Sequence, residues 1–335
     1  MKSLQYDALT QPVSPQELEE VEKKFPLQLS RTSGKIIAGM VSTAVSVVLL
    51  TFLFRISMTA FVLGCVVAVV LIVSSIVSTD RYYDSIFKIR ARYYKFATQN
   101  HMTYQTRRKP DLKGFLFGEG RYQIILDAFT YGDEKQIEFA NYHYASSSRD
   151  GGKGGYTFGY IMIKLDRRLP HIFLDGTSNN TRLFGHEISH LGQVFKDAQR
   201  QQLEGDFNKH FILYVPKGYE TDARYVLTPN LMQLFITETG GYDAEIVDDY
   251  LFIYTEPFFF QKAETYQRIM RLVETVGGTA QRQTDYYADS RVGDRASNVV
   301  HESGRRLRRK GLPIGTLITV VLIVVGFFLV GWLSP

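Results

Sequence analysis

The sequence predicts an α+β domain with an antiparallel sheet, joined to three transmembrane helices that form an N-terminal hairpin and a C-terminal anchor. Three observations predict it. Residues 36–54, 58–78 and 314–333 are apolar runs of about 20 residues, roughly 30 Å of helix and so the depth of a hydrocarbon core. Clusters of Lys and Arg border these runs on one side. Between the second and third runs, short segments of alternating polarity are punctuated by Gly, Pro, Asn and Asp and interleaved with segments of helical spacing.

Residues 1–35 read as an N-terminal tail. This polar, partly acidic stretch of about 35 residues has no short basic n-region, so no cleaved signal peptide is expected. Only Arg55-Ile56-Ser57 separates the first two apolar runs, which makes residues 36–78 a tight antiparallel hairpin. Lys23, Lys24, Arg31 and Lys35 precede it, and Arg81, Lys88, Arg90, Arg92 and Lys95 follow it. Arg305, Arg306, Arg308, Arg309 and Lys310 precede the third run. The positive-inside rule then puts the N-terminus and the residues from about 79 to 310 in the cytoplasm of a multi-pass plasma-membrane protein. The single cysteine, Cys65, lies in the second run, which excludes an intrachain disulfide, and the Asn179 sequon faces the cytoplasm. The net charge of +5 comes largely from the membrane-flanking clusters. It therefore points to the bilayer and its anionic headgroups as partners, not to nucleic acid.

Residues 79–113 read as a juxtamembrane stalk helix and linker. Tyr82, Ile86, Ile89, Tyr93 and Phe96 recur at helical spacing, and Arg107-Arg108-Lys109-Pro110 ends the helical region. The α+β domain covers 114–276. Strands are expected at 122–130 and 136–145 around Gly132-Asp133-Glu134, then at 156–165 and 172–175 after a Gly-rich loop at 150–155. That loop lacks the Ser or Thr after Gly-Lys that a phosphate-binding loop needs. A helix is expected at 181–199 from the stripe Phe184, Ile188, Leu191, Phe195 and Ala198, and a strand at 211–215. Thr228-Pro229 starts a helix over 230–237 that Gly240-Gly241 ends. Residues 244–247 and 250–254 read as a hairpin turning at Asp248-Asp249, and 258–276 as a helix capped by Gly277-Gly278. Residues 277–313 are polar and basic without periodicity, a tether to the helix at 314–333.

One motif carries specific chemistry. His186-Glu187-Ile188-Ser189-His190 matches His-Glu-x-x-His, in which two histidines one helical turn apart bind zinc and the glutamate activates the metal-bound water. Such a site needs a third ligand. Leu191-Gly192-Gln193 follows His190 in place of a Gly-x-x-His extension, which leaves Glu204, or else Glu238 or Glu245. Glu204 and Asp206 also read as a possible carboxylate pair, or as a turn entering a strand. No Gly-x-Ser-x-Gly nucleophile motif occurs.

The run Leu203-Glu204-Gly205-Asp206-Phe207, Phe211, Tyr214, Tyr219, Asp222-Ala223-Arg224-Tyr225-Val226-Leu227-Thr228-Pro229 and Leu231-Met232 resembles the signature of a bacterial membrane-anchored family, domain of unknown function 3137. The segment Leu169-Pro170-His171-Ile172-Phe173-Leu174-Asp175 resembles it too, and the resemblance covers about 114–276. It implies a membrane-tethered domain with no assigned activity, ligand or catalytic residue. The expected function is accordingly a non-enzymatic interaction or scaffold module with no cofactor. Its unknown protein partner would be met by a sheet face bearing Tyr142, Tyr144, Tyr156 and Tyr160. The alternative is a membrane-anchored zinc metalloprotease in which Glu187 is the base and His186, His190 and Glu204 hold the metal.

Overall fold

A computed structural model of the chain describes residues 4–118, 120–132, 137–145, 155–177, 195–203, 205–294 and 296–309. Serine caps open its first three helices. Ser14 accepts from Glu17 N while the Glu17 carboxylate accepts from Ser14 N, a capping box that starts α1 (Pro15–Lys24). Ser30 accepts from Ser33 N at α2 (Arg31–Phe54), and Ser57 from Ala60 N at α3 (Met58–Gln99). Both α2 and α3 are long and apolar enough to cross a membrane. Their apolar side chains face outward, with Met40 67%, Val48 69% and Leu63 68% exposed, which suits lipid and not water. The third apolar run, 314–333, lies outside the described residues.

The chain forms two compact units. The first comprises Met1–Arg108, Ile125–Ala140 and Phe259–Arg268. Here α3 is continuous for 42 residues, so the apolar span and the stalk are one helix. Its buried face differs from the expected stripe: Tyr83, Phe87 and Ala91 are buried, whereas Tyr82 is exposed. The reason is α1, whose Val21 packs on those three residues together with Leu18 and Phe25. Residues 7–24 are therefore folded against α3 where a tail was expected. Arg31 pairs with Asp80 (3.3 Å) and Asp84 (2.7 Å), and Lys35 with Asp80 (2.7 Å), at the foot of the helix pair.

The helical region ends at Gln99, earlier than expected. Residues 102–108 are strand β1 (Met102–Arg108), with Met102 and Tyr104 buried and Thr103 and Gln105 exposed, a period of two. It pairs antiparallel with β2 (Arg121–Tyr131), Met102 opposite Tyr131 and Arg108 opposite Ile125. Phe129 of β2 stacks on Phe139 of β3 (Ile137–Ala145) at 5.4 Å, and Tyr93 and Phe96 of α3 meet Phe129 edge-on at 5.9 and 6.1 Å. Glu138 is buried and paired with Arg108 at 2.5 Å. Asp127 is half-buried and accepts from the Tyr104 hydroxyl at 2.6 Å; desolvation raises its pKa.

The second unit comprises Lys109–Ile124, Asn141–Phe258 and Ile269–Pro335. Its spine is a two-strand antiparallel ladder between β4 (Gly155–Gly176) and a later strand, Ala244–Thr255, from Gly159 opposite Thr255 to Leu174 opposite Ala244. Each strand replaces two expected ones. Asp248-Asp249, which reads as a turn, instead continues the ladder: Leu169 faces Asp248, and the register shifts between Lys164 and Leu169 and again between Leu169 and Ile172. Asp248 takes φ 54° and absorbs the irregularity without reversing the chain. On its other edge β4 pairs with Phe211–Tyr214, which in turn pairs with Arg200–Gln201. In chain order these strands are β5 (Arg200–Gln201), β6 (Phe211–Tyr214) and β7 (Ala244–Thr255).

Short helices α4 (Phe207–His210), α5 (Glu220–Val226) and α6 (Pro229–Thr239) lie between β6's approach and β7 in sequence. The Thr228 side chain accepts from Leu231 N and Gly240 closes α6 at φ 64°, as the sequence predicts. The last helical region does not stop at Gly277-Gly278. α7 (Ala263–Leu272) runs through a π-turn at Val273–Gly277 into α8 (Gly278–Thr284). Gly277 is there for packing, since a Cβ on it would stand 2.5 Å from Ile163 Cδ1. Residues 181–194 of the expected helix lie outside the described residues. Its final part is not α-helix, because Phe195 bridges Arg309 and Asp197–Gln199 is a 3-10 turn. Phe195 instead joins Phe115, Phe173 and Tyr214 in an aromatic group with centroids 4.9 to 5.8 Å away.

Candidate functional site

Residues 278–309, expected as a tether, are a strap folded onto the second unit. Sparse anchors explain why it has no periodicity: Ala280, Thr284, Tyr287, Asp289, Val300 and Leu307 are buried, with polar chain between them. Asp289 is the first clasp. It accepts from the Tyr219 hydroxyl (2.7 Å), His301 N (2.9 Å) and Arg291 N (3.0 Å), and these hydrogen bonds hold its carboxyl below the ordinary range against the effect of burial. Arg291 lies over the Tyr219 ring at 3.9 Å and pairs with Asp222 at 3.1 Å, while the Tyr287 hydroxyl donates to Asp222 at 2.8 Å. The second clasp is a paired contact of Arg306 with Asp248, at 3.0 and 2.9 Å. The third joins the strap to the sheet edge: Gln199 hydrogen-bonds both backbone groups of Arg308 at 2.8 Å, and Lys196 N donates to Arg308 O at 3.3 Å.

Where the strap passes the β4 and β7 irregularities it leaves a cleft of about 890 Å³. Lys113, Arg168, Arg305, Arg306 and Arg308 line it, against Asp248 and Glu302. Asp248 is held below the ordinary carboxyl range, chiefly by its hydrogen bonds from Arg306, with Lys113 adding to the effect from 3.3 Å. The cleft is thus a basic surface with an internal carboxylate that orients two of its cations, an arrangement suited to a phosphate, sulfate or carboxylate group.

Beneath it lies a buried polar network. Glu245 accepts from Phe115 N (2.9 and 2.7 Å to its two oxygens), from the Tyr254 hydroxyl (2.5 Å) and from His171 Nε2 (2.8 Å). Leu307 N donates to His171 Nδ1 at 3.0 Å, so Nδ1 is the unprotonated nitrogen and Nε2 carries the proton given to Glu245. Burial and the Glu245 charge raise the Tyr254 hydroxyl far above its ordinary range, so it remains a donor. The network ties the Phe115 turn, β4, β7 and the strap together with its polar atoms satisfied. A second buried pair is Asp175, at the end of β4, and Asp243, which accepts from Gly176 N at 2.8 Å. Burial first and the Asp243 charge second push Asp175 up to about 8, with Arg200 opposing.

The residues singled out in the sequence fall differently. His186, Glu187, His190 and Glu204 lie outside the described residues. Glu238 pairs with Arg271 at 2.6 Å near the surface, and Glu245 has both oxygens committed in the network above. Among the described residues no group of three or more His, Cys, Asp or Glu is placed to hold a metal ion. Asp206 precedes α4 with no side-chain cap. The expected tyrosine face is corrected: Tyr142 and Tyr160 are fully buried, and the Tyr142 hydroxyl donates to Phe117 O at 2.9 Å. Phe117 gathers them, with ring centroids at 5.2 Å to Tyr142 and 4.9 Å to Tyr160. Both sides of that sheet region are packed, so alternation there does not mark a solvent face.

No family model matches this chain. No curated protein matches it. Among solved structures, the crystal structure of the mycobacterial trehalose monomycolate transport factor A, TtfA, aligns over 56% of this chain and 91% of its own length, at 7% identity and a TM-score of 0.32.

Proposed function

We propose that the chain is a membrane-anchored interaction or scaffold module, non-enzymatic, with its N-terminus and folded units on the cytoplasmic side. The observation that carries this reading is the continuity of α3. One unbroken helix of 42 residues begins with exposed apolar side chains and ends with Tyr93 and Phe96 buried against Phe129. A rigid lever of this kind transmits the pose of a membrane span directly to a folded unit, which suits a scaffold. The basic residues beside all three apolar runs support the cytoplasmic side. The strap supports a third anchor: its last described residue, Arg309, is followed within five positions by the run at 314–333. Resistance to alkaline carbonate extraction tests the anchoring. For the side, Tyr122, 87% exposed, is replaced by cysteine in a Cys65→Ser background. An impermeant maleimide should label it only after cells are opened; labelling of intact cells overturns the orientation.

The zinc-protease reading rests on His186-Glu187-x-x-His190 in the sequence. Stoichiometric zinc that disappears in His186→Ala, together with loss of casein cleavage, would establish it in place of the scaffold.

A further inference from the structure

The basic cleft contains cations that membrane topology does not explain. Arg305, Arg306 and Arg308 belong to the cluster before the third apolar run, but Lys113 and Arg168 are far from any such run in sequence. Folding brings all five to one cavity of about 890 Å³, a size usual for a small-ligand site. Two of them are oriented by one carboxylate: Asp248 holds Arg306 at 2.9 Å and Lys113 at 3.3 Å. Arg168 is held from its backbone, where its N–H donates to Asn298 Oδ1 at 2.7 Å, and Arg305 Nε donates to Val300 O at 2.8 Å. Lys113, Arg305 and Arg306 are thus held at their side chains, and Arg168 is positioned through its backbone.

We infer that this cleft binds the phosphate-bearing headgroup of an anionic phospholipid from the cytoplasmic leaflet. The inference rests on the proposed anchoring of residues 314–333. Four residues of chain separate Arg309 from that run, five steps that reach at most about 18 Å when extended, so an anchored chain keeps the cleft within reach of the headgroup layer. Cationic excess and proximity then select lipid phosphate over a soluble anion, because the leaflet supplies it at high local concentration. The guanidinium groups of Arg168 and Arg305 offer forked donors that match phosphate oxygens, which lysines of a general basic surface do not.

The test uses the full chain in a non-ionic detergent and short-chain phosphatidylglycerol below its micelle concentration, so that cleft binding is read apart from membrane insertion. Saturable binding is expected, with short-chain phosphatidylcholine binding at least about tenfold more weakly, a difference of 1.4 kcal/mol. Arg168→Glu should weaken phosphatidylglycerol binding by about tenfold or more, while Arg121→Glu, an equal charge change at another exposed arginine, should not. Equal losses in both variants, or no loss in either, overturn the inference. Inorganic phosphate binding as tightly as the lipid would assign the cleft to a soluble anion and overturn it as well. Carbonate extraction of the same protein reports the anchoring separately: an extractable chain that still binds phosphatidylglycerol refutes the anchor and leaves the headgroup site standing.

Discussion

Gln199 pairs with the backbone of Arg308 as a strand would. Its Nε2 donates to Arg308 O and its Oε1 accepts from Arg308 N, both at 2.8 Å. Gln199 is 4% exposed, so these bonds are made away from water and hold the strap beside the edge formed by β5. Gln199→Ala removes both and leaves Arg308 N without its partner, while Arg308 O keeps the hydrogen bond from Lys196 N. The expected cost is about 1 to 3 kcal/mol, concentrated in the strap. Limited trypsin digestion should cut at Arg305 to Arg309 several-fold faster than in the unaltered chain; an unchanged rate would show that the other clasps hold the strap alone.

Glu245 is surrounded by donors. Phe115 N, the Tyr254 hydroxyl and His171 Nε2 all point hydrogens at its two oxygens. Glu245→Gln keeps the shape but turns one acceptor into a donor facing donors. Bonds to a charged group in the interior are worth more than neutral ones, so a loss of at least about 2 kcal/mol is expected. Thermal unfolding should register it as a drop of several degrees. His171→Asn, which loses a donor without opposing one, should cost less, and the reverse order would show the network is not built around the carboxylate.

How much of this was legible depends on whether the signal was local. The helix starting at Thr228-Pro229 and ending at Gly240, and the apolar runs of α2 and α3, rest on neighbouring residues and read directly from sequence. The capping box Ser14-Pro15-Gln16-Glu17 is equally local and marks α1 inside the expected tail. Asp248-Asp249 misled for a physical reason, since a bulge and a turn favour the same residues and only the partner strand distinguishes them. The cleft could not be read at all. Its cations come from positions 113, 168 and 305–308, and only β4, β7 and the strap bring them together.

Asp175 makes the fold sensitive to alkali. Its folded pKa, about 8, lies above the ordinary unfolded value of about 3.9, because burial and the Asp243 charge disfavour its ionised form. The stability it permits is therefore complete below the unfolded value and is lost as pH rises through the folded one. Asp175→Asn removes that loss. The variant should be no more stable than the unaltered chain near pH 4 and progressively more stable up to about pH 8, with no further gain above. Denaturant midpoints across this range check it, and a difference that does not vary with pH would mean that Asp175 is not the titrating group.

Asp248 behaves in the opposite sense, on the same pair of strands. The Arg306 hydrogen bonds hold its carboxyl below the ordinary value, so its contribution is present above the unfolded pKa and disappears as pH falls through the folded one. Its backbone, at φ 54°, is left-handed, which asparagine tolerates well. Asp248→Asn therefore removes the charge without backbone penalty and isolates the electrostatic part. Arg306 is 47% exposed at its side chain, so solvent screening keeps that part small, about 1 kcal/mol or less. The variant should be slightly less stable than the unaltered chain at pH 7, the gap closing below about pH 4, and 0.5 M salt should shrink it further. Asp248→Gly should lose the same charge and match Asp248→Asn if relief of the left-handed backbone offsets the entropy of glycine. A deficit in Asp248→Asn that persists unchanged at pH 3 would mean that the clasp works through packing and not through charge.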